Sequence, residues 1–495
     1  MSFATIAAKP AMPLPKLWSL GLAVAVLLAI LFAPEFDGLP IAGQRMLAVF
    51  GFAIVVWVTE ALDYAVSAVV SSLMALLLGI SPDPAKPTAL LGTAQGLTMA
   101  VSGFGNTALI LVAAALFLAA AMSVTGLDRR IALVILSRVG ASTSHVVIGG
   151  IVITIVLSFL VPSATARAAV VVPIMLGIVL AFGVDRKSRL AALVMITTVQ
   201  AIGVWNVGVK TAAAQNLVAV GFIQRMLGHD ISWVDWLVAA APFSIALSIG
   251  LYVIAMTMLP AESRAVSGGQ ASIDRSLAAL GPMTGKEKRL LIISLVLLCF
   301  WATEQILHRL DSATTTTAAI AILFLPGIGV MTWNEAQPRI PWGTVVLFGI
   351  GISLGTVLLQ TKAASWLANL IVTGFGLDQL GSLAILAVLA MFLIVIHLGF
   401  ASATALASSL IPIVIAVLQK VHTPGINIIG MTMILQFVIS YGFILPVNSP
   451  QGMVAYGTET FAARDFVRVG LVLTVLAYLL TLLFGATYWR WLGYV

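Results

Sequence analysis

The sequence predicts an all-α polytopic membrane protein, folded as two inverted repeats of about five spans plus a re-entrant hairpin each, about 11 transmembrane helices in total. Three observations predict it. The 495 residues are 61% hydrophobic and only 9% charged, where soluble chains carry about 25% charged residues. Apolar runs of about 17–25 residues, the length that crosses a bilayer core, recur along the whole chain. Landmarks of the first half return in the same order in the second.

Taking the elements in order, the N-terminal stretch MSFATIAAKPAMPLPK is short and weakly charged. The apolar run after it, 17–33, ends at Pro34 without a small-residue cleavage site, so it reads as a retained first helix. No Arg/Ser-rich transit peptide precedes it, which points to a bacterial inner membrane. Further apolar runs fall at 43–59, 64–80, 93–125, 130–161, 166–183, 190–209 and 233–259, and then at 290–307, 313–331, 342–374, 380–400, 405–420, 426–446 and 466–489. Between the two sets lies a polar linker holding Arg264, Arg275, Lys286, Lys288 and Arg289. Its positive charge places it in the cytoplasm. The expected division is therefore 1–260, a linker at 261–289, and 290–495. Two runs, 93–125 and 342–374, are long and interrupted by Gly, Ser, Thr or Lys, and read as the re-entrant hairpins. Barrel strands alternate apolar and polar, and these runs do not.

The net charge is +7 with a single cysteine, Cys299, in LLIISLVLLCFW. Basic residues near helix ends account for the charge, and no basic soluble module for nucleic acid is visible. No HExxH, Walker A or CxxC motif stands in the chain, so no metal or cofactor is expected. GISLG at Gly351–Gly355 matches a nucleophile elbow, but lies in an apolar run without the strand-turn-helix context that motif needs.

The repeat is carried by three pairs. WVTE ending at Glu60 returns as WATE ending at Glu304, 244 positions on. PSATARAAVVVPI around Ser163 returns as ASATALASSLIPI around Ser402, 239 positions on. TAAAQNLVA at 211–219 is answered by NSPQGMVA at 448–455. An odd number of spans per half inserts the second half upside down, an arrangement common to secondary transporters.

The Ser-Ala-Thr motifs carry the chemistry. Pro162 breaks an apolar helix, Ser163, Ala164 and Thr165 follow, and helix resumes. Irregular backbone at membrane depth is tolerated where it lines a cavity or is buried in protein. Free amides of a resumed helix, beside two hydroxyls, suit an anion. Ser402, Ala403 and Thr404 repeat the arrangement from the other side, so two loops would suit a substrate with two carboxylates. Arg167 lies four residues past Ser163, and an intramembrane cation needs a partner; an anionic substrate would serve. His397 stands five residues before Ser402, where the first half has Ser158, either as a packing residue or beside the anion. The second breaks offer Thr211, Gln215, Asn216, Asn448, Ser449 and Gln451, for cation coordination by unwound backbone or for closure of the substrate site. Lys210 is either a snorkelling helix-end lysine or a further positive charge facing the cavity. Glu60 and Glu304 read as structural helix-end groups.

With these motifs quoted, the chain resembles the divalent anion/sodium symporter family, which includes bacterial citrate, tartrate and 2-oxoglutarate/malate carriers. The resemblance covers nearly the whole chain and rests also on SGFGNTALILVAAALFLAAAMSVTGLDRRIAL, ISWVDWLVAAAPF, LGPMTGKEKRLLIISLVLLCFWATE and ILPVNSPQGMVAYGTETFAARDFVRVG. It implies a homodimer in which each protomer has a scaffold domain and an elevator-type transport domain. The family pattern is Ser-Asn-Thr, the Asn helping to hold substrate and sodium; here alanine, Ala164 and Ala403, takes its place twice. Thr165–Arg167 and His397 resemble the exchanger branch, in which a fixed cation replaces the sodium charge, although Leu406 stands where that branch has a second histidine. The resemblance thus implies exchange of di- or tricarboxylate anions without sodium, a sodium- or proton-coupled symporter of dicarboxylate, sulfate or sulfonate anions being the alternative.

Overall fold

The computed structural model describes residues 14–140, 142–181, 183–262 and 269–495. The first 13 residues and Arg264 of the linker lie outside the described residues. The first half comprises α1 (Leu14–Leu31), α2 (Ile41–Thr59), α3 (Ala68–Gly79), α4 (Thr93–Val101), α5 (Thr107–Thr125), α6 (Leu127–Val139), α7 (Thr143–Leu160), α8 (Ala164–Ala181), α9 (Arg189–Gly208), α10 (Ala214–Leu227) and α11 (Trp233–Met258). The linker contributes α12 (Gly269–Ala279). The second half comprises α13 (Gly285–Thr303), α14 (Ser312–Phe324), α15 (Trp333–Ala336), α16 (Trp342–Gln360), α17 (Ala363–Phe375), α18 (Ser382–His397), α19 (Ala403–Lys420), α20 (Ile428–Ile439), α21 (Pro450–Tyr456), α22 (Ala463–Ala486) and α23 (Tyr488–Trp491). The only strands among the described residues are a small antiparallel pair, Pro82–Asp83 with Lys86–Leu90. Nine of the described helices are long and apolar enough to cross a bilayer. This is a polytopic all-α membrane protein.

Helix starts keep the sequence offsets. α2 and α3 begin 244 residues before α13 and α14, and α7, α8 and α9 begin 239 residues before α18, α19 and α20. α8 and α19 are both 18 residues long, with Pro173 and Pro412 at the same interior position. Local chemistry sets the ends. Ser142 and Ser188 cap α7 and α9 by accepting from the third amide. At Thr284 and Glu287 a reciprocal capping box starts α13 at 285, so the second half opens five residues earlier than the composition break at 290. Every residue of α9 after Arg189 is buried, which makes it the axis of the core.

The hairpin assignment needs correction. The run 93–125 is α4, a 3-10 turn at Ser102–Gly105, and then one 19-residue helix capped by Asn106. The run 342–374 opens with a 19-residue helix, α16, that is long enough to span the membrane. Its hydroxyls do not break it: Ser353 donates to the Gly349 carbonyl and Thr356 to the Ile352 carbonyl, each one turn back. The same contacts dispose of GISLG, whose serine is mid-helix and also accepts from the Gly103 amide. That crossing needs glycine, because a Cβ on Gly103 would meet the Gly349 carbonyl.

α7 and α8, each also long enough to span, form a helical hairpin in the first half. Arg167 of α8 donates to Ser158 of α7, and a Cβ on Gly150 would touch Met175. Both pairs are centred between Pro162 and Ser163, so α8 runs back along α7 and the Ser-Ala-Thr segment is the tip.

Candidate functional site

Both tips open on one cavity of about 610 Å³, walled by residues from both halves. Ser163, Ala164 and Thr165 line it from one tip, and Ser402, Ala403 and Thr404 from the other. Ser163 and Ser402 are built alike. Each Oγ accepts from the amide three residues on, at 3.3 and 3.2 Å, and so caps the helix that follows. The first amides of α8 and α19 precede the helical hydrogen-bond ladder and carry the partial positive charge of a helix N-terminus.

Two more helix starts arrive from the second breaks. Ala213, Ala214 and Gln215 at the start of α10, and Ser449, Pro450 and Gln451 at the start of α21, line the same cavity. The packing is reciprocal between halves: α8 lies on α21, and α19 on α10. The N-termini of α8, α10 and α19 therefore converge on one space, beside the short turn of helix at α21. Gln215 reaches across to Ser440 at 3.4 Å, another lining residue, which ties the two breaks together.

The remaining sequence-predicted residues separate into lining groups and braces. His397 lines the cavity, with its Nε2 3.4 Å from the Asn448 carbonyl oxygen. Asn448 also lines it, and its Nδ2 donates to the carbonyls of His397 at 3.0 Å and Phe400 at 2.9 Å, fastening the second loop. Asn216 and Thr211 stand behind the wall. Asn216 Nδ2 donates to the carbonyls of Asn206 (2.6 Å) and Val209 (3.2 Å), which holds the unwound stretch between α9 and α10. Thr211 accepts from the indole of Trp233.

Arg167 is not in the cavity. Its side chain is buried behind the first loop, donating to Ser158, to Asn206 Oδ1 and, at 3.0 Å, to the Ala212 carbonyl. Hairpin, central helix and second break are thereby joined through one guanidinium. Asn206 lines the cavity on its other side. Lys210 neither snorkels nor faces the cavity. It is 4% exposed, donates to the Ile231 carbonyl at 2.6 Å, and lies in the field of Glu304, Asp230, Asp235 and Asp311.

The two WxTE glutamates differ. Glu304 is structural, accepting from the Ser312 hydroxyl at 2.6 Å and from the amides of Ser312 and Trp233. Glu60 ends α2 in a left-handed conformation, φ 48°, and lines the cavity. Tyr64 donates to its Oε1 at 3.3 Å and also reaches the Ser402 hydroxyl. Sequence reasoning missed Tyr64, Asp128, Arg339 and Asn206 as cavity residues. Asn206 alone left a signal, as an amide deep in the apolar run VQAIGVWNVG.

A helical bundle spanning the membrane, with a shared polar cavity at its two broken helices, defines a multi-pass membrane transporter. The family profile "Sodium:sulfate symporter transmembrane region" matches residues 14–495. The chain belongs to this family, the divalent anion/sodium symporters. It is 57% identical over 488 residues to a protein of Cupriavidus necator called "Membrane protein", covering 98% of this chain and 95% of that one. It is 27% identical to the L-tartrate/succinate antiporter of Escherichia coli (strain K12), covering 96% of this chain and 98% of that one. Among solved structures, the YdaH transporter of Alcanivorax borkumensis shares the fold, with a TM-score of 0.56 at 14% identity over 86% of this chain and 97% of that one.

Proposed function

We propose that this protein exchanges small organic dicarboxylates, of the C4, 2-oxoglutarate or citrate-like kind, across the bacterial inner membrane without sodium. The observation that carries the reading is the convergence of three helix N-termini, those of α8, α10 and α19, and two Ser-Ala-Thr tips on a single cavity of about 610 Å³. Amide and hydroxyl donors at helix starts favour carboxylate oxygens. The volume is in the range of small-molecule sites, about 300–1,000 Å³. The similarity to a tartrate/succinate antiporter supports the same substrate class and exchange.

Exchange follows from the fixed cation. Arg167 holds one positive charge at the first tip in every state of the site. An empty site leaves that charge without an anion beside it, while a carboxylate group of a bound substrate pairs with it. The repeat offsets support inverted halves, 1–260 and 290–495 about a cytoplasmic linker, with the hairpin tips in a transport domain that moves against a scaffold, elevator-fashion, in a homodimer. Purified protein in proteoliposomes should take up labelled dicarboxylate only when the lumen holds dicarboxylate, at the same rate in sodium and potassium. The family description names sodium, which favours a sodium- or proton-coupled symporter as the second reading. Uptake that needs a sodium gradient and ignores internal dicarboxylate would establish that reading in place of exchange.

A further inference from the structure

The main cavity shares a wall with a second one. This second cavity, of about 540 Å³, lies beneath the linker helix α12, whose Ser272, Ile273 and Ser276 line it. Asp128, in the first turn of α6, lines both. It is 3% exposed, and its hydrogen bonds are local, from its own amide and from the Arg129 amide to Oδ1 at 2.7 Å. No ion pair engages it among the described residues.

The elements packed on α6 are α5, α7, α8, α12 and α13. α5 carries no charged residue; α7 brings His145, α8 Arg167, α12 Asp274 and Arg275, and α13 Lys286, Glu287, Lys288 and Arg289. α6 itself adds Arg129, Arg130 and Arg138. The cavity Asp128 lines also holds Glu60, Arg339, Tyr64 and His397. Arg130 is committed to Glu287 at 2.7 Å, and Arg167 to the first tip. Burial pushes the Asp128 carboxyl up to about 6, and only backbone amides oppose the rise.

We propose that Asp128 is a proton-binding site coupled to the anion: as a carboxylate enters the main cavity, the Asp128 carboxylate takes a proton from water in the second cavity, and gives it back when the anion leaves. The inference rests on the carboxylate reading of the main cavity. Two carboxylates sharing a low-dielectric space cannot both stay ionised cheaply. The main cavity offers an anion the starts of α8, α10 and α19, whereas Asp128 has only local backbone amides, so Asp128 is the group that accepts the proton. Nothing covalent changes: one O–H bond forms on the carboxyl and the donor is water in equilibrium with the solvent. By linkage, the proton and the anion each strengthen the other's binding by the same factor.

The test is calorimetry on the full-length protein in nanodiscs, with succinate, malate, 2-oxoglutarate and L-tartrate as probes. Titration near pH 7, where these probes are already ionised, in two buffers of different ionisation enthalpy reads proton uptake directly. Wild type should take up a proton and bind roughly tenfold more weakly for each unit by which the anion raises the Asp128 affinity for protons, as pH rises from about 6 to 8. Asp128→Asn keeps the acceptor for the Arg129 amide and mimics the protonated form; it should bind at the tight, acid-limit affinity, flat with pH, without proton uptake. Asp128→Ser is the second variant should the first fold poorly, with the same expectation. Carboxylate binding that is flat with pH in wild type, or proton uptake that survives in either variant, overturns the role of Asp128 and leaves the cavity reading intact. Failure of all four probes to bind wild type overturns the cavity reading and this inference with it.

Discussion

The two Ser-Ala-Thr tips are alike in backbone and unlike in what holds them. At a constant offset of 239, Ser163, Ala164 and Thr165 meet Ser402, Ala403 and Thr404, but Ser158 meets His397, Arg167 meets Leu406, and Asn206 meets Leu445. The first tip is fastened by a buried guanidinium with three acceptors. The second is fastened by a neutral amide, Asn448, on the carbonyls of His397 and Phe400. Charge-assisted hydrogen bonds contribute about 1.5–3 kcal/mol each and neutral ones about 0.5–1.5. The two halves thus share the Ser-Ala-Thr segment, and a single buried positive charge stands behind one copy of it.

The comparison predicts the order in which it can be broken. Arg167→Leu, which gives the first tip the residue of the second, leaves the side chains of Ser158 and Asn206 and the Ala212 carbonyl buried without their donor. Each such loss costs about 1–3 kcal/mol, so proteoliposome exchange should fall by about 100-fold or more, and thermal stability should fall with it. Exchange within a few-fold of wild type in Arg167→Leu would remove the cation from the mechanism. Asn448→Ala frees the second tip but strands no charge. We expect about a tenfold loss of exchange, read in the same assay, with dicarboxylate affinity and not the folded state as the main casualty; a loss as deep as that of Arg167→Leu would erase the asymmetry. Tyr64→Phe deletes a partly exposed hydroxyl whose bond to Glu60 is 3.3 Å long. Its effect on affinity should stay within about threefold, since such bonds contribute little net. A larger change measured by calorimetry would move Tyr64 from the rim into the primary site.

Much of this was legible in the sequence. Helix breaks at Pro162 and around Ser402, hydroxyls beside them and a repeat at fixed offset are local features, and they located both tips. What the chain order hides is the company each residue keeps. Lys210 reads as a helix-end lysine until Asp230, Asp235, Glu304 and Asp311 arrive from three separate segments to surround it. Glu60 and Glu304 share a motif, yet only Ser312 and Trp233 make one of them structural. Periodicity misled at α16 because Ser353 and Thr356 look like helix breakers, and their hydroxyls satisfy themselves on the preceding turn instead. Asp128 sits in an ordinary N-terminal helical turn by sequence; that it closes the wall between two cavities is a property of the assembled bundle.

The guanidinium lock at the first tip has an electrical consequence. Arg167 is tied to α7, to α9 and to the backbone before α10, so its charge travels with the tip and is never handed to solvent. Any displacement of that tip along the bilayer normal moves the charge through the transmembrane field. A full crossing against 100 mV is worth about 2.3 kcal/mol per elementary charge. Binding of an anion beside that tip would change the net charge that moves with it, and so its response to voltage. On the proposed exchange reading the first loop is also a gating charge, and holding potential becomes a handle on which face of the membrane the cavity prefers.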